Sequence, residues 1–167
     1  MSFNRRHALK GSAALAFSTW SSTRFAIAHE SDALTALKTS PLIYLSPIVS
    51  NGQQSRCHAE VWFMYLKGEI FVVTWSEKWK AEAMRRGFRR AKIWVGDFGP
   101  WKSANGRYLS APSLNIEGQF ETDSSVQEPL LLEFAHKYKN EWRFWDQKVR
   151  DGLANGDWVM LRYKIAS

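Results

Sequence analysis

The chain has 167 residues, 45% of them hydrophobic and 14% aromatic, with 23 lysines and arginines against 16 acidic residues and a formal charge of +7. Four basic residues, Arg5, Arg6, Lys10 and Arg24, lie in the first 28; the remainder carries 19 basic and 16 acidic side chains, a net +3 that gives no argument for nucleic acid. No apolar run reaches the roughly 18–20 residues of a membrane span, and the single cysteine, Cys57, excludes an internal disulfide.

In chain order, Asn4-Arg5-Arg6-His7-Ala8-Leu9-Lys10 resembles the twin-arginine export consensus: a polar residue, Arg-Arg, any residue, an apolar residue, Leu and Lys. A weakly apolar stretch, Gly11 to Trp20, follows, and Ala26-Ile27-Ala28 has the small-x-small spacing that a signal peptidase reads. No Asp or Glu precedes Glu30. Residues 1–28 are therefore expected to be a twin-arginine signal peptide, with a mature N-terminus at His29 and a periplasmic or extracellular destination. That route carries folded passengers, many of them already loaded with a cofactor. The 139 residues that remain suit one domain with a core.

Residues 29–40 read as a leader or one short helix, with Leu34 and Leu37 available for docking; the domain is expected over 41–167. Leu42–Leu45 is β-prone, and Ser50-Asn51-Gly52-Gln53 signals a turn. His58–Leu66 and Glu69–Trp75 read as two strands joined by a tight Lys67-Gly68 turn. From Ser76 to Arg86 the pattern becomes helical through Trp79, Ala83 and Met84, with Gly87 as a left-handed stop. Strands return at Ala91–Phe98 and Leu114–Phe120, with Gly118 marking a bulge or a close approach. Leu131, Phe134, Tyr138, Trp142, Trp145 and Val149 form one apolar stripe, which predicts a long helix over about 126–151. Ser125-x-x-Glu128 is a candidate capping box for it. Asn155-Gly156 ends the helix, and Trp158–Ile165 is a last strand. Hairpins without βαβ alternation predict a mainly β fold: an antiparallel, near six-stranded barrel with one long and one short helix packed outside.

Catalytic motifs are sparse. No His/Cys cluster has metal-ligand spacing, no nucleophile elbow or phosphate loop is present, and no carboxylate pair stands out. His136 falls off the apolar stripe and reads as solvated. Eight tryptophans follow residue 28 (Trp62, Trp75, Trp79, Trp94, Trp101, Trp142, Trp145, Trp158), enough both to build a core and to wall a pocket for a flat ligand. The richest polar junction is Thr74-Trp75-Ser76-Glu77-Lys78-Trp79-Lys80, where a strand passes into a helix. Hydroxyls, free N–H groups and lysines converge there, as phosphate binding requires. The same residues also read as an ordinary capped helix with solvated lysines.

Arg56 to Val95 resembles the pyridoxamine-5'-phosphate-oxidase-like split barrels. Arg56 precedes the first strand, which holds Val61-Trp62-Phe63; Glu69-Ile70-Phe71-Val72-Val73-Thr74 ends the second in Thr; Ser76 and Lys78 or Lys80 follow; and Ala91-Lys92-Ile93-Trp94-Val95 matches the next strand. The resemblance implies bound FMN or a deazaflavin, held by Arg56, Thr74, Ser76, Lys78 and Lys80 with Trp75 or Trp79 beside the ring. It also implies a homodimer and a flavin-dependent oxidoreductase acting on a small molecule, with electron chemistry supplied by the cofactor. A C-terminal Arg-x-His segment is missing, which argues against synthesis of pyridoxal phosphate. The alternative is a non-catalytic barrel that holds a flavin, haem or another aromatic ligand.

Overall fold

Period-two alternation sorts the strand side chains between a barrel interior and an outer face that is apolar in two places and open to solvent at Asn115, Glu117 and Gln119. The structure is a computed structural model describing residues 30–166; the expected signal peptide, its arginine pair and the mature N-terminus at His29 lie outside the described residues. Helix α1 (residues 30–37) leads into β1 (Ile43–Pro47), β2 (Ala59–Val61), β3 (Met64–Leu66), β4 (Glu69–Trp75), α2 (Trp79–Arg85) and β5 (Arg90–Val95). Then come α3 (Trp101–Ala104), a 3-10 turn (Arg107–Ser110), β6 (Ser113–Glu121), α4 (Ser124–Lys137), α5 (Lys139–Trp142), α6 (Asp146–Asn155) and β7 (Trp158–Ile165).

The seven strands form one antiparallel sheet in the order β2-β1-β5-β6-β7-β4-β3. Its two edge strands, β2 and β3, are separated in the chain only by Trp62 and Phe63. The sheet therefore curls until its edges meet at one bent segment, which is the seam of a split barrel. The single strand expected over 58–66 is two strands with a break between them. The Lys67-Gly68 turn forms as expected, with both residues at positive φ (52° and 83°), which matches a tight hairpin to the twist of its strands.

Ile43, Leu45, Ile70, Val72, Ile93, Val95, Leu114, Ile116 and Leu161 face the barrel interior, which Ala33 and Leu37 of α1 and Met84 of α2 help to close. Gly118 is the close approach that the sequence marks: a Cβ there would lie 2.5 Å from the Tyr163 ring and 2.7 Å from Met84. On the outer face, Tyr44 and Trp94 pack under the arm carrying Ala104 and Tyr108. Phe71 and Met160 pack under α4–α6.

The helix expected over 126–151 is instead a run of three helices spanning 124–155. Its apolar stripe persists: Leu131, Phe134, Tyr138, Trp142 and Val149 are all buried. A straight rod cannot keep that stripe on a curved barrel. The chain bends where Tyr138 leaves helical geometry (φ −115°, ψ 43°) and again before α6. Asp123, not Ser125, caps α4, accepting from the Ser125 N–H and hydroxyl; these bonds hold its carboxyl below the usual carboxylate range. Glu128 pairs with Arg150, which also holds Asp146, so the two outer helices are tied to each other. Trp142 is only 3% exposed, and Trp142→Ala is expected to cost about 3–5 kcal/mol in chemical denaturation. A loss under about 1 kcal/mol would mean that the helical layer does not bury this ring.

Candidate functional site

The β4–α2 junction opens onto a cleft of about 320 Å3 on the outer face of the barrel. β4 brings Val73, Thr74 and Trp75 to it; β2 brings Glu60 and Val61, followed by Trp62; β7 opens with Trp158; and α2 adds Lys80. The helical layer closes it with Phe134, Trp142, Trp145 and Val149. Five of the eight tryptophans that follow residue 28 therefore meet in one place.

Register explains the meeting. Trp75 and Trp158 are directly paired across β4 and β7, and their rings lie 4.6 Å apart at 35°. Trp145 sits 6.1 Å from Trp158, and Trp62 lies 6.4 Å from Trp142. Trp75, 39% exposed, stands at the mouth. Gly152 of α6 makes room for Trp158: a Cβ at that position would fall 2.0 Å from the indole Cδ1. Gly152→Ala should therefore push the Trp158 ring into the cleft, lower stability by about 1–3 kcal/mol and change the near-UV circular dichroism. An unchanged spectrum and an unchanged denaturation midpoint would contradict this packing.

Against these apolar walls stand three polar groups, Thr74, Glu60 and Lys80. Burial, followed by the neighbouring Lys78 charge, lowers the Lys80 pKa from its ordinary value, and Glu60 partly opposes the shift. Among the described residues Lys80 makes no ion pair. A partly desolvated ammonium with no counter-ion, set 5.0 Å from the centroid of the Trp79 ring, gains from any anionic group that reaches it. The Glu60 carboxylate is engaged elsewhere, accepting from the Trp101 backbone N–H at 2.9 Å.

Of the residues singled out from sequence, Thr74, Trp75 and Lys80 line the cleft. Arg56 is exposed and outside it. Ser76 is tied through its backbone, its N–H donating to Asp157 O and its carbonyl accepting from Arg85. Lys78 pairs at the surface with Glu77 at 3.5 Å. Trp79 turns the other way, packs on the barrel core and lines a separate hollow of about 190 Å3 with Cys57. Glu60, Trp62, Trp145 and Trp158 join the site through the sheet order and the helical layer. The richness in tryptophan marks Trp62, Trp145 and Trp158 as possible pocket walls in sequence, but nothing local tells which of the eight meet here, and nothing marks Glu60.

The other hollows lack this combination. His58 lies between Trp94 and Trp101 and shares a hydrogen bond of 3.0 Å with the Tyr108 hydroxyl; burial lowers its pKa, against a bond to the Ser55 backbone. A hollow of about 610 Å3 beside β6 and β7 is lined by Arg89, Arg90, Arg162 and Lys164, and has charge but no aromatic wall. Among the described residues no cluster of His, Cys, Asp and Glu could hold a metal ion, and no helix is long and apolar enough to cross a membrane.

A seven-stranded, seam-closed antiparallel barrel with helices outside is a split barrel, and solved structures share it. The conserved hypothetical protein Rv2991 of Mycobacterium tuberculosis superposes with a TM-score of 0.55 at 15% identity, over 93% of this chain and 87% of that one. HutZ, the haem storage protein of Vibrio cholerae, gives 0.54 at 12%, over 83% and 90%. A provisionally assigned pyridoxamine 5'-phosphate oxidase from Listeria innocua gives 0.51 at 15%, over 83% and 94%. At these identities the shared property is the fold. No protein-family model matches the sequence, and no curated protein is close enough in sequence to match it.

Proposed function

We propose that this chain is an exported oxidoreductase that binds FMN, or a deazaflavin, in the tryptophan cleft and acts on a small molecule. The observation that carries this is the pairing of five indoles with one partly desolvated, unpaired lysine in a single cleft. Its volume of about 320 Å3 lies in the range of small-molecule sites and suits one planar ring system. The tryptophans would flank the ring and exclude water, Thr74 would offer a hydroxyl, and Lys80 would meet the phosphate. A bound flavin supplies the electron chemistry, so the sparse acid–base equipment of the cleft is no obstacle. Because one chain offers the phosphate a single lysine, the remaining donors fall to a second protomer, in keeping with a homodimer.

A carrier of haem or another aromatic ligand is the second reading, favoured by the likeness to a haem storage protein. The cleft lining weighs against haem. It includes no His, Cys, Met or Tyr, the side chains that ligate haem iron.

An absorption spectrum of the purified protein separates these readings: flavin bands with turnover of an electron donor support the enzyme, and a Soret band supports the carrier. Lys80→Ala should weaken FMN binding roughly 10- to 150-fold, the worth of a charge-assisted hydrogen bond, with little loss of stability. Lys67→Ala, at the hairpin turn, is the control and should change little. Equal affinity in parent and Lys80→Ala would remove the lysine from the site, and a parent that binds neither FMN nor a deazaflavin would remove the flavin.

Export is a separate part of the proposal and rests on the first 28 residues. Replacing Arg5 and Arg6 together by Lys should retain the precursor in the cytoplasm, as seen by fractionation and mass spectrometry of the N-terminus. Unchanged export would exclude the twin-arginine route.

A further inference from the structure

The barrel seam contains a titratable group that the cleft chemistry does not use. Trp62 and Phe63 lie between β2 and β3, where ladder bonding stops. The Tyr138 hydroxyl takes its place: it accepts from the Phe63 N–H at 2.9 Å and lies 2.9 Å from the carbonyl oxygens of Phe63 and Pro41, which share its one proton. Lys137 donates from Nζ to the same Phe63 carbonyl at 3.0 Å, and its ammonium sits 3.6 Å from the centroid of the Phe63 ring. The Tyr138 ring stacks on Trp62 at 5.0 Å and 18°. Trp62 is a wall of the cleft. Contacts therefore run without a gap from the Lys137 ammonium, through Phe63 and Tyr138, to an indole that faces the ligand space.

We propose that Lys137 and Tyr138 are positioning residues for the cleft, and that the proton on Lys137 sets how firmly Trp62 is held. The consequence for a ligand rests on the flavin reading; the latch at the seam does not. Burial pulls the Lys137 amine down to about 8. No carboxylate offsets the burial, since among the described residues Lys137 makes no ion pair. The titratable group in contact with it is Tyr138, whose hydroxyl burial holds in its protonated form. The charged and titratable residues of the flanking elements, Glu133 and His136 on α4, Lys139 and Glu141 in α5, and Lys38 after α1, are exposed. β3 contributes only the half-buried Tyr65.

Two effects of opposite sign follow from loss of this proton. Between about 8 and the ordinary lysine value of 10.5, the unfolded chain binds more protons at this position than the folded one. Global stability should therefore rise with pH through that window. Over the same step Phe63 loses a charge-assisted hydrogen bond and a cation on its ring, so Trp62 gains freedom. A purely structural lysine would produce the first effect without the second.

The test is a pH titration of the ligand-free protein by near-UV circular dichroism and tryptophan anisotropy, with the Trp62 signal taken as the difference between parent and Trp62→Phe. The parent should show a transition centred near 8. Lys137→Arg keeps its charge and should hold the acid-side signal throughout; Lys137→Met has none and should hold the alkaline-side signal. Either variant alone suffices if the other fails to fold. Tyr138→Phe, which keeps the ring and removes the hydroxyl, should loosen Trp62 at every pH. No transition in the parent, or the same transition in both Lys137 variants, would overturn the latch. FMN is the probe for the cleft: its affinity for the parent should fall about three- to tenfold across the transition, and the fall should vanish in Lys137→Arg. FMN affinity that ignores the transition would overturn the positioning role. A Lys137-dependent transition in a protein that binds no FMN at any pH would leave the latch standing and reject the flavin reading.

Discussion

Everything in this structure depends on closing a sheet whose two edges are consecutive in the chain. The bend at Trp62-Phe63 joins β2 to β3 and turns a seven-stranded sheet into a barrel, but it leaves a backbone N–H and C=O without a ladder partner inside the protein. An unpaired buried group costs about 1–3 kcal/mol. Tyr138 removes that cost by satisfying the Phe63 N–H and sharing its proton with the carbonyl. This requirement also accounts for the break in the helical layer. Tyr138 leaves helical geometry where its hydroxyl reaches the seam, and α5 and α6 restart from there around the barrel.

The cleft is a by-product of that closure. Bending the chain at Trp62 aims an indole outward beside the outer face of β4, and the returning helices bring Phe134, Trp142 and Trp145 over it. Trp75 and Trp158, paired across β4 and β7, complete the wall. A cleft with large apolar area and few polar atoms suits flat, hydrophobic ring systems, which is the basis of the proposed flavin site. In that proposal Lys80, partly buried without a counter-ion, would orient the ligand by meeting an anionic tail.

Local pattern made most of the elements legible. Alternation marked strands, the tight Lys67-Gly68 turn marked the hairpin, Gly87 stops α2 in left-handed geometry as expected, and Gly156 ends its helix as expected, also at positive φ. The apolar stripe from Leu131 to Val149 told which side of the helical layer is buried, but not that it bends. Spacing within a helix carries no information about the curvature of the surface beneath it. Likewise, 58–66 reads as one strand because nothing local reveals that Trp62-Phe63 must serve two edges. At the site, Thr74, Trp75 and Lys80 were readable because they adjoin one strand–helix junction. Glu60 and Trp62 lie more than ten residues earlier, and Trp145 and Trp158 more than sixty later. They depend on sheet order, which a single sequence does not encode locally. Lys78 and Trp79 share the junction, yet they are turned to a surface partner and to the barrel core by the geometry of a short helix.

The central claim is that one cleft both stacks a flavin ring on its tryptophans and pairs the phosphate with Lys80. A crystal structure of the protein with FMN tests it most directly. The account predicts the ring between Trp62, Trp142 and Trp158, with a phosphate oxygen within hydrogen-bonding distance of Lys80 Nζ. FMN lodged in the basic hollow of Arg89, Arg90 and Lys164, with the tryptophan cleft empty, would contradict it.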